Sequence, residues 1–398
     1  MASKTLKVAI ISDLHCHPEK EALKDNNTYL FSAKLRSPAN EHPVEDLLGI
    51  ISRDNIEVDL VLSPGDITDQ CDIQGFFSGW SYVIEISRAL KSMDTIATVG
   101  NHDVDSRLKH SQYSLDIPKK ISQNFPLSVA EVGTFWDKGF TFIEKEDYQI
   151  LVFNSTHFHT HSTKEPTENP SVKGKVDSLQ IEAIEKYLSC NNDDSKIKIF
   201  LCHHHIIKHS RLGMGEYDFI ENGEDLLRII GKYKFDLVIH GHKHDPWLRY
   251  VYTSSGSYQI PILSSGSFSA TNQILWASIF NYFHVIEIEK QESGNCFGKI
   301  LTYTFKNKSG WRKDREDGFL PYTGFGYQGN INDIVKKVES IIRGKQVVAW
   351  EKVLEAVPEI NFLTPDQMEE LEKQLSERKI NVNSKIGLRP KHIYYEGD

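Results

Sequence analysis

Lys7-Val8-Ala9-Ile10-Ile11-Ser12-Asp13-Leu14-His15 decides how this chain is read. Its apolar, β-branched run predicts a strand over Lys7 to Ser12, buried on both faces. The strand delivers a carboxylate and an imidazole two residues apart, so that both side chains can point the same way. The arrangement recurs along the chain. Gly65-Asp66 follows the run Leu60 to Ser63, and Gly100-Asn101-His102-Asp103 follows Ile96 to Val99. Cys202-His203-His204-His205 follows Ile197 to Leu201, and Gly241-His242-Lys243-His244 follows Leu237 to Ile239. A sheet brings such strand ends to one edge. Together they offer carboxylate, imidazole and amide groups, the mixed donor set of a site for two divalent metals, and predict a metal-dependent phosphoester hydrolase.

Helical patterns lie between the strands. Pro43 to Ser52 carries Val44, Leu47, Leu48 and Ile51, and Ser81 to Leu90 carries Val83, Ile84, Ile86 and Leu90. Asp177 and Gln180 open a capping box ahead of Ile181, Ile184 and Leu188. With a further strand over Ile150 to Phe153, this alternation predicts an α/β core. After His244 the runs Tyr258 to Leu263, His284 to Ile288 and Ile300 to Phe305 follow without helical spacers, which predicts a second, partly antiparallel sheet packed on the first. A catalytic domain is expected over residues 1–305 and a linker or arm over 306–330. Residues 331–398 read as a small helical subdomain. Ile334, Val335, Val338, Ile341 and Ile342 keep helical spacing up to Gly344, and Thr364, Pro365 and Gln367 open a helix striped by Met368, Leu371 and Leu375.

With 398 residues, 39% of them hydrophobic, the chain can bury one large core plus an appendage, or two domains. No apolar run approaches the ~18 residues of a membrane span. Met1-Ala2-Ser3-Lys4-Thr5 leads at once into a strand instead of a signal-peptide apolar region, so the expected location is the cytoplasm and no membrane partner is expected. The 5 cysteines are scattered and form no C-x-x-C pair, which argues against a disulfide framework and a thiolate zinc site. A formal charge of −9 disfavours long nucleic acid, although two bound cations make the site itself positive. Nothing in the sequence sets the oligomeric state.

The ordered set D-x-H, G-D, G-N-H-D, a histidine cluster after a strand, and G-H-x-H resembles the calcineurin-like metallophosphoesterase superfamily over residues 5 to 305. The resemblance implies a four-layer α-β-β-α sandwich with two packed mixed sheets, here with a C-terminal helical appendage. It implies that Asp13, His15, Asp66 and His244 hold one metal, and that Asp66, Asn101, His204 and His242 hold the other. His102 would then be the acid that serves the leaving oxygen, with Asp69 orienting it. The family's usual H-x-P is absent, because His204 is followed by His205 and Ile206. The H-x-P offset favours His204, with His203 as the alternative. Mixed Asp, Asn and His donors favour manganese, with iron or zinc as alternatives.

The stretch Gly174 to Leu188 is similar to the small-molecule and cyclic-nucleotide phosphodiesterase branch. The expected function is therefore hydrolysis of a small nucleotide-like or cyclic-nucleotide diester, by in-line attack of a hydroxide between the cations. The insertion from His17 to His42 and the tail would roof the pocket. Phe268 and Tyr327 are candidates to stack a base, with core packing as the equal alternative, and His157 and His205 would touch substrate. His159 and His161 share the alternation of His157, and the run reads as a solvated loop, a pocket rim or a site for a further metal, while His17 and His209 are expected as loop histidines. The alternatives are a DNA or RNA nuclease, a phosphomonoesterase, and a scaffold of the same fold that has lost its chemistry.

Overall fold

The computed structural model describes residues 3–18, 28–32, 36, 38–121, 124–127, 132–159, 173–208, 218–253, 258–271, 280–313, 319–320, 322–383 and 390–396. In chain order, β1 (Lys4–Ile10), α1 (Pro43–Asp54), β2 (Leu60–Ser63), α2 (Ile73–Ala89) and β3 (Asp94–Ala97) come first. Next are α3 (Asp116–Ile121), α4 (Val132–Lys138), β4 (Phe140–Glu144), β5 (Tyr148–Phe153) and β6 (Gly174–Lys175). They lead to α5 (Ser178–Asn191), β7 (Ile197–Leu201), β8 (Ile220–Glu221), α6 (Gly223–Lys232), β9 (Leu237–His240), β10 (Trp247–Tyr252) and β11 (Gln259–Ser264). The long strands β12 (Asn281–Lys290) and β13 (Cys296–Lys306) are followed by β14 (Gly310–Arg312) and β15 (Tyr322–Phe325). The C-terminal module comprises α7 (Ile331–Ile342), β16 (Val347–Ala349), α8 (Trp350–Ala356), α9 (Pro365–Ser376), β17 (Ile380–Asn383) and β18 (His392–Tyr395).

Two mixed sheets form the centre. The first has the order β14-β13-β12-β1-β2-β3, with β15 also on β13, and the second has the order β10-β11-β9-β7-β5-β4. The ligand-bearing strands β1, β2 and β3 run parallel, as do β5, β7 and β9. Alternation along the second sheet separates its faces. Ile150, Val152, Ile199, Leu201, Leu237 and Ile239 share a core with the first sheet, whereas Leu151, Phe153, Phe200 and Val238 join Ile184 and Leu188 of α5 and Leu226, Ile229 and Ile230 of α6. Val44 and Leu47 of α1 and Phe76, Trp80 and Val83 of α2 pack on the first sheet. The result is the four-layer α-β-β-α sandwich. Each such apolar side chain contributes roughly 1.5–3 kcal/mol on burial, which is why near-continuous apolar strands sit at its centre.

Three expectations change. Helix α2 starts at Ile73, two turns before Ser81, because the Asp72 side chain caps it by accepting from the Gly75 N–H at 2.8 Å. Within the span expected as a linker or arm, β14 pairs Trp311 with Phe305, and β15 pairs Gly324 with Lys299, both on β13. The C-terminal module has the expected helices and also a three-stranded sheet, β16-β18-β17. Its core joins Val335, Val338, Trp350, Leu371, Leu375 and Ile393. Among the described residues, no helix is long and apolar enough to cross a membrane.

Candidate metal centre

The carboxyl ends of β1, β2, β3, β7 and β9 meet at one edge of the sandwich, and each releases its motif there. Close approach of these loops needs glycine at two positions in particular. A Cβ on Gly100 would fall on the Asp66 carboxylate, and one on Gly241 would fall on that of Asp13. The backbone is held in the left-handed region at Asp13 (φ 52°), His15 (51°), Asp66 (54°), His242 (80°) and His244 (55°). Such strain costs roughly 1–3 kcal/mol per non-glycine residue and collects at functional sites.

Asp103 fixes the loop that carries Asp66. Its carboxylate accepts from the N–H groups of Asp66 (2.8 Å), Ile67 (2.7 Å), Thr68 (3.0 Å) and Gly100 (2.9 Å). Asp13 is braced similarly, by the Ser12 hydroxyl and by the His242 N–H at 2.9 Å.

Two donor groups result, joined by Asp66. In the first, His15 Nε2 lies 2.9 Å from His244 Nε2 and 3.7 Å from Asp66 Oδ2, and His244 Nε2 lies 3.5 Å from Asp13 Oδ1. In the second, His203 Nε2 lies 3.3 Å from the same Asp66 oxygen and 3.0 Å from Asn101 Oδ1. The His203 Nδ1–H donates to the Pro64 carbonyl at 2.8 Å. His203 therefore turns Nε2 toward both oxygens, and although burial opposes its charge the Asp66 carboxylate holds its pKa at about 9; His15 and His244 meet at Nε2. Carboxylate oxygens, an amide oxygen and imidazole nitrogens converge in two groups, and a divalent cation in each would take the place of the shared protons, so the donor set fits two metals.

The expected ligands Asp13, His15, Asp66, Asn101, His204, His242 and His244 all reach this edge. So does His203, the alternative to His204, and it is His203 that faces Asp66 and Asn101. His204 instead has Nδ1 2.8 Å from Ser155 Oγ, with its Nε2 buried and without a hydrogen-bond partner among the described residues. His102 lies beside His15, with ring centroids 4.7 Å apart, and its Nδ1 is 2.7 Å from Asp69 Oδ1.

Electrostatics follow from this packing. Burial drives the His15 pKa down to about 4, and it takes those of His204 and His242 well below the usual range. Burial also opposes charge on His102, but the Asp66 and Asp69 carboxylates outweigh it and hold its pKa at about 9.

Some expected substrate contacts lie elsewhere. His205 is buried, because its β-bridge to Phe219 and the hydrogen bond from Ile220 N–H to its carbonyl (2.8 Å) draw it inward, where its ring lies 4.2 Å from that of His240. Phe268 is fully buried against Trp311, at 5.1 Å between ring centroids. Tyr327 belongs to the C-terminal module, where its hydroxyl donates to the Asn330 carbonyl at 2.9 Å. His157 packs beside Phe158 at 5.1 Å, and His159 is buried with its ring 5.4 Å from that of His204. His17, expected in a loop, is buried beside the ligand-bearing turn. His161 and His209 lie outside the described residues. Sequence reasoning missed Ser155, which follows the fourth expected strand without any motif to mark it.

The family model described as calcineurin-like phosphoesterase matches residues 6–246, more than half of the chain. The chain belongs to the calcineurin-like phosphoesterase family. It is thus a metal-dependent phosphoester hydrolase of a family that binds two divalent metals. A second model, wHTH-Calcineurin_assc, matches residues 323–377, which include α7, α8 and α9. No curated protein matches the sequence. Among solved structures, a dimetal phosphatase from Danio rerio aligns at 13% identity and a TM-score of 0.47, over 76% of this chain and 100% of that one. A purple acid phosphatase from yellow lupin (Lupinus luteus) seeds aligns at 16% identity and a TM-score of 0.47, over 78% of this chain and 53% of that one.

Proposed function

We propose that this phosphoesterase hydrolyses small nucleotide-like phosphodiesters. In this reading Asp13, His15, Asp66 and His244 hold one cation, while Asp66, Asn101, His203 and His242 hold the other. The 3.0 and 3.3 Å approaches of His203 Nε2 favour it over the His204 expected from the H-x-P offset. Two divalent cations supply polarisation of the phosphoryl oxygens and activation of the attacking water. The oxygen-rich Asp13 and Asp66 side suits manganese, with iron or zinc as the alternatives.

The observation that carries the diesterase reading is His102. Its side chain is 35% exposed, against 2% for His15 and 0% for His203, so it is the imidazole that a leaving group can reach. With Nδ1 held by Asp69, Nε2 is the atom left to deliver a proton to a departing alkoxide. That assistance matters most for poor leaving groups, such as the ribose hydroxyl of a diester.

Two further observations favour a small substrate. The described part of the 17–42 insertion is stapled to the turn around His15: the Thr28 hydroxyl donates to the Leu14 carbonyl at 2.9 Å, and Phe31 bridges to His17. Helix α9, the last helix within the winged-helix match, carries Asp366, Glu369, Glu370 and Glu372 against Lys373, a charge balance that repels a phosphate backbone. The cysteines are free thiols, in keeping with a cytoplasmic setting.

The test is a metal-reconstituted panel of 3′,5′- and 2′,3′-cyclic nucleotides, a generic diester, a monoester, and DNA and RNA oligonucleotides. Cyclic nucleotides or the diester should rank first. A monoester or an oligonucleotide at the top would overturn the reading.

A further inference from the structure

The second cation position holds one imidazole more than its four proposed ligands. His203, His204 and His242 each offer a ligand nitrogen, and these atoms lie within 4.8 Å of one another. The rings of His204 and His242 are tilted at 4.4 Å between centroids, and His203 stands 5.0 and 5.1 Å from them. Adjacent residues rarely present side chains to one point. Here the turn after β7 allows it, and Ser155 at the end of β5 anchors the second ring.

The hydrogen bonds of His204 show that it is not an ordinary core histidine. His284, fully buried in the same sandwich, has Nε2 2.9 Å from the Ser265 carbonyl and Nδ1 2.8 Å from the Thr302 hydroxyl, so both nitrogens are matched. His204 is matched at one only. Its Nδ1 meets Ser155 Oγ at 2.8 Å, and the same oxygen accepts the His204 backbone N–H at 3.2 Å. Its Nε2 and that of His242 are both buried with no hydrogen-bond partner among the described residues. A buried nitrogen left unmatched costs roughly 1–3 kcal/mol.

We propose that His204 is a third imidazole ligand of the second cation, positioned by Ser155, and that the two sites therefore differ in preference. The second site would hold Asp66, Asn101 and three imidazoles, while the first holds two carboxylates and two imidazoles. A nitrogen-rich site selects borderline cations such as zinc or cobalt, and the oxygen-richer site leaves more room for manganese. The two ions should load unequally, with the second site filling first in zinc or cobalt. This inference rests on the binuclear reading above.

The experiment is titration of metal-free, full-length protein with Co²⁺, followed by visible absorption, and with Zn²⁺, followed by calorimetry. Wild type should take up two ions of unequal affinity. Ser155→Ala should weaken the tighter step about tenfold or more, the scale for losing a group that orients a ligand. His204→Ala should weaken it at least as much and shift the cobalt bands of that step. Should His204→Ala fail to fold, His204→Gln and Ser155→Ala carry the same comparison. Two ions bound by all variants with wild-type affinities and spectra would overturn the His204 assignment and leave the binuclear centre standing. Wild type that binds no ion would bring down both.

Discussion

His102 Nδ1 and Asp69 Oδ1 lie 2.7 Å apart, and this contact fixes the orientation of a half-buried imidazole that the proposed function makes the acid. Together with Asp66 the carboxylate holds the His102 pKa at about 9, so the acid form is present at neutral pH and is lost only as pH rises through that value. Asp69→Asn should move the alkaline limb of the kcat/KM profile to lower pH. His102→Ala should lose about 10²–10⁴-fold on an alkyl diester, and much less on an aryl ester whose phenolate departs unaided. Rates on the two substrate classes across pH 6 to 10 check both expectations, and equal losses on both would remove His102 from the proton transfer.

Asp66 Oδ2 sits 3.7 Å from His15 Nε2 and 3.3 Å from His203 Nε2, and so belongs to both donor groups. Asp66→Asn should therefore abolish uptake of both ions and reduce turnover to background, whereas Asp13→Asn should weaken chiefly one site. Metal content after gel filtration distinguishes the two outcomes. Binding should also stabilise the fold, by about 2.7 kcal/mol for a site held at about 100 times its Kd, since the ligands converge only in the folded chain. A chelator should lower the unfolding midpoint accordingly.

The central strands and most of the donor residues were legible because the same feature marks both. An apolar run that ends abruptly in a glycine and a charged residue has to be a strand end, and strand ends in a parallel sheet share an edge. Asp66 is placed by that logic, and Asp13 and Asn101 by the same abrupt change from apolar to polar at a strand end. The triple His203-His204-His205 was not resolvable, since three adjacent imidazoles have no spacing to tell them apart. Their roles depend on where β7 stops and on partners distant in sequence: Pro64 for His203, Ser155 for His204 and Phe219 for His205. Strands β14 and β15 were missed because they are short and gain their order from β13. The sequence left Phe268 open between base stacking and core packing, because the Trp311 ring that buries it comes from far along the chain.

Lys290 and Asp236 tie the two sheets together at the end opposite the metal centre. Lys290 ends β12 in the first sheet, and its ammonium donates to both Asp236 oxygens at 3.1 and 2.8 Å, just ahead of β9 in the second. Asp236 also accepts the Lys198 N–H at 2.8 Å. Both side chains are buried, so Asp236→Ala leaves an ammonium stranded and should cost about 3–5 kcal/mol. Replacing both members, Asp236→Leu with Lys290→Met, should recover much of that loss. Urea unfolding of the three proteins measures it, and a double variant as unstable as the single one would show that the backbone hydrogen bond dominates.

His284 makes stability depend on pH independently of the metals. Burial lowers its pKa from 6.5 to about 4, although the Ser265 carbonyl pulls the other way. A proton on Nδ1 would only turn the Thr302 hydroxyl from donor to acceptor, so the cost of the charge is that of burial. Between pH 6.5 and 4 the unfolded chain binds a proton that the folded chain refuses. The contribution of His284 is thus fully present above 6.5 and is lost as pH falls toward 4, by roughly 3 kcal/mol in all. His284→Gln keeps a donor and an acceptor but cannot titrate. Melting curves of metal-free wild type and variant from pH 8 to 4.5 should converge as the medium becomes acidic, with wild type the more stable at pH 8. A constant gap between them would mean that His284 takes up its proton within the folded protein.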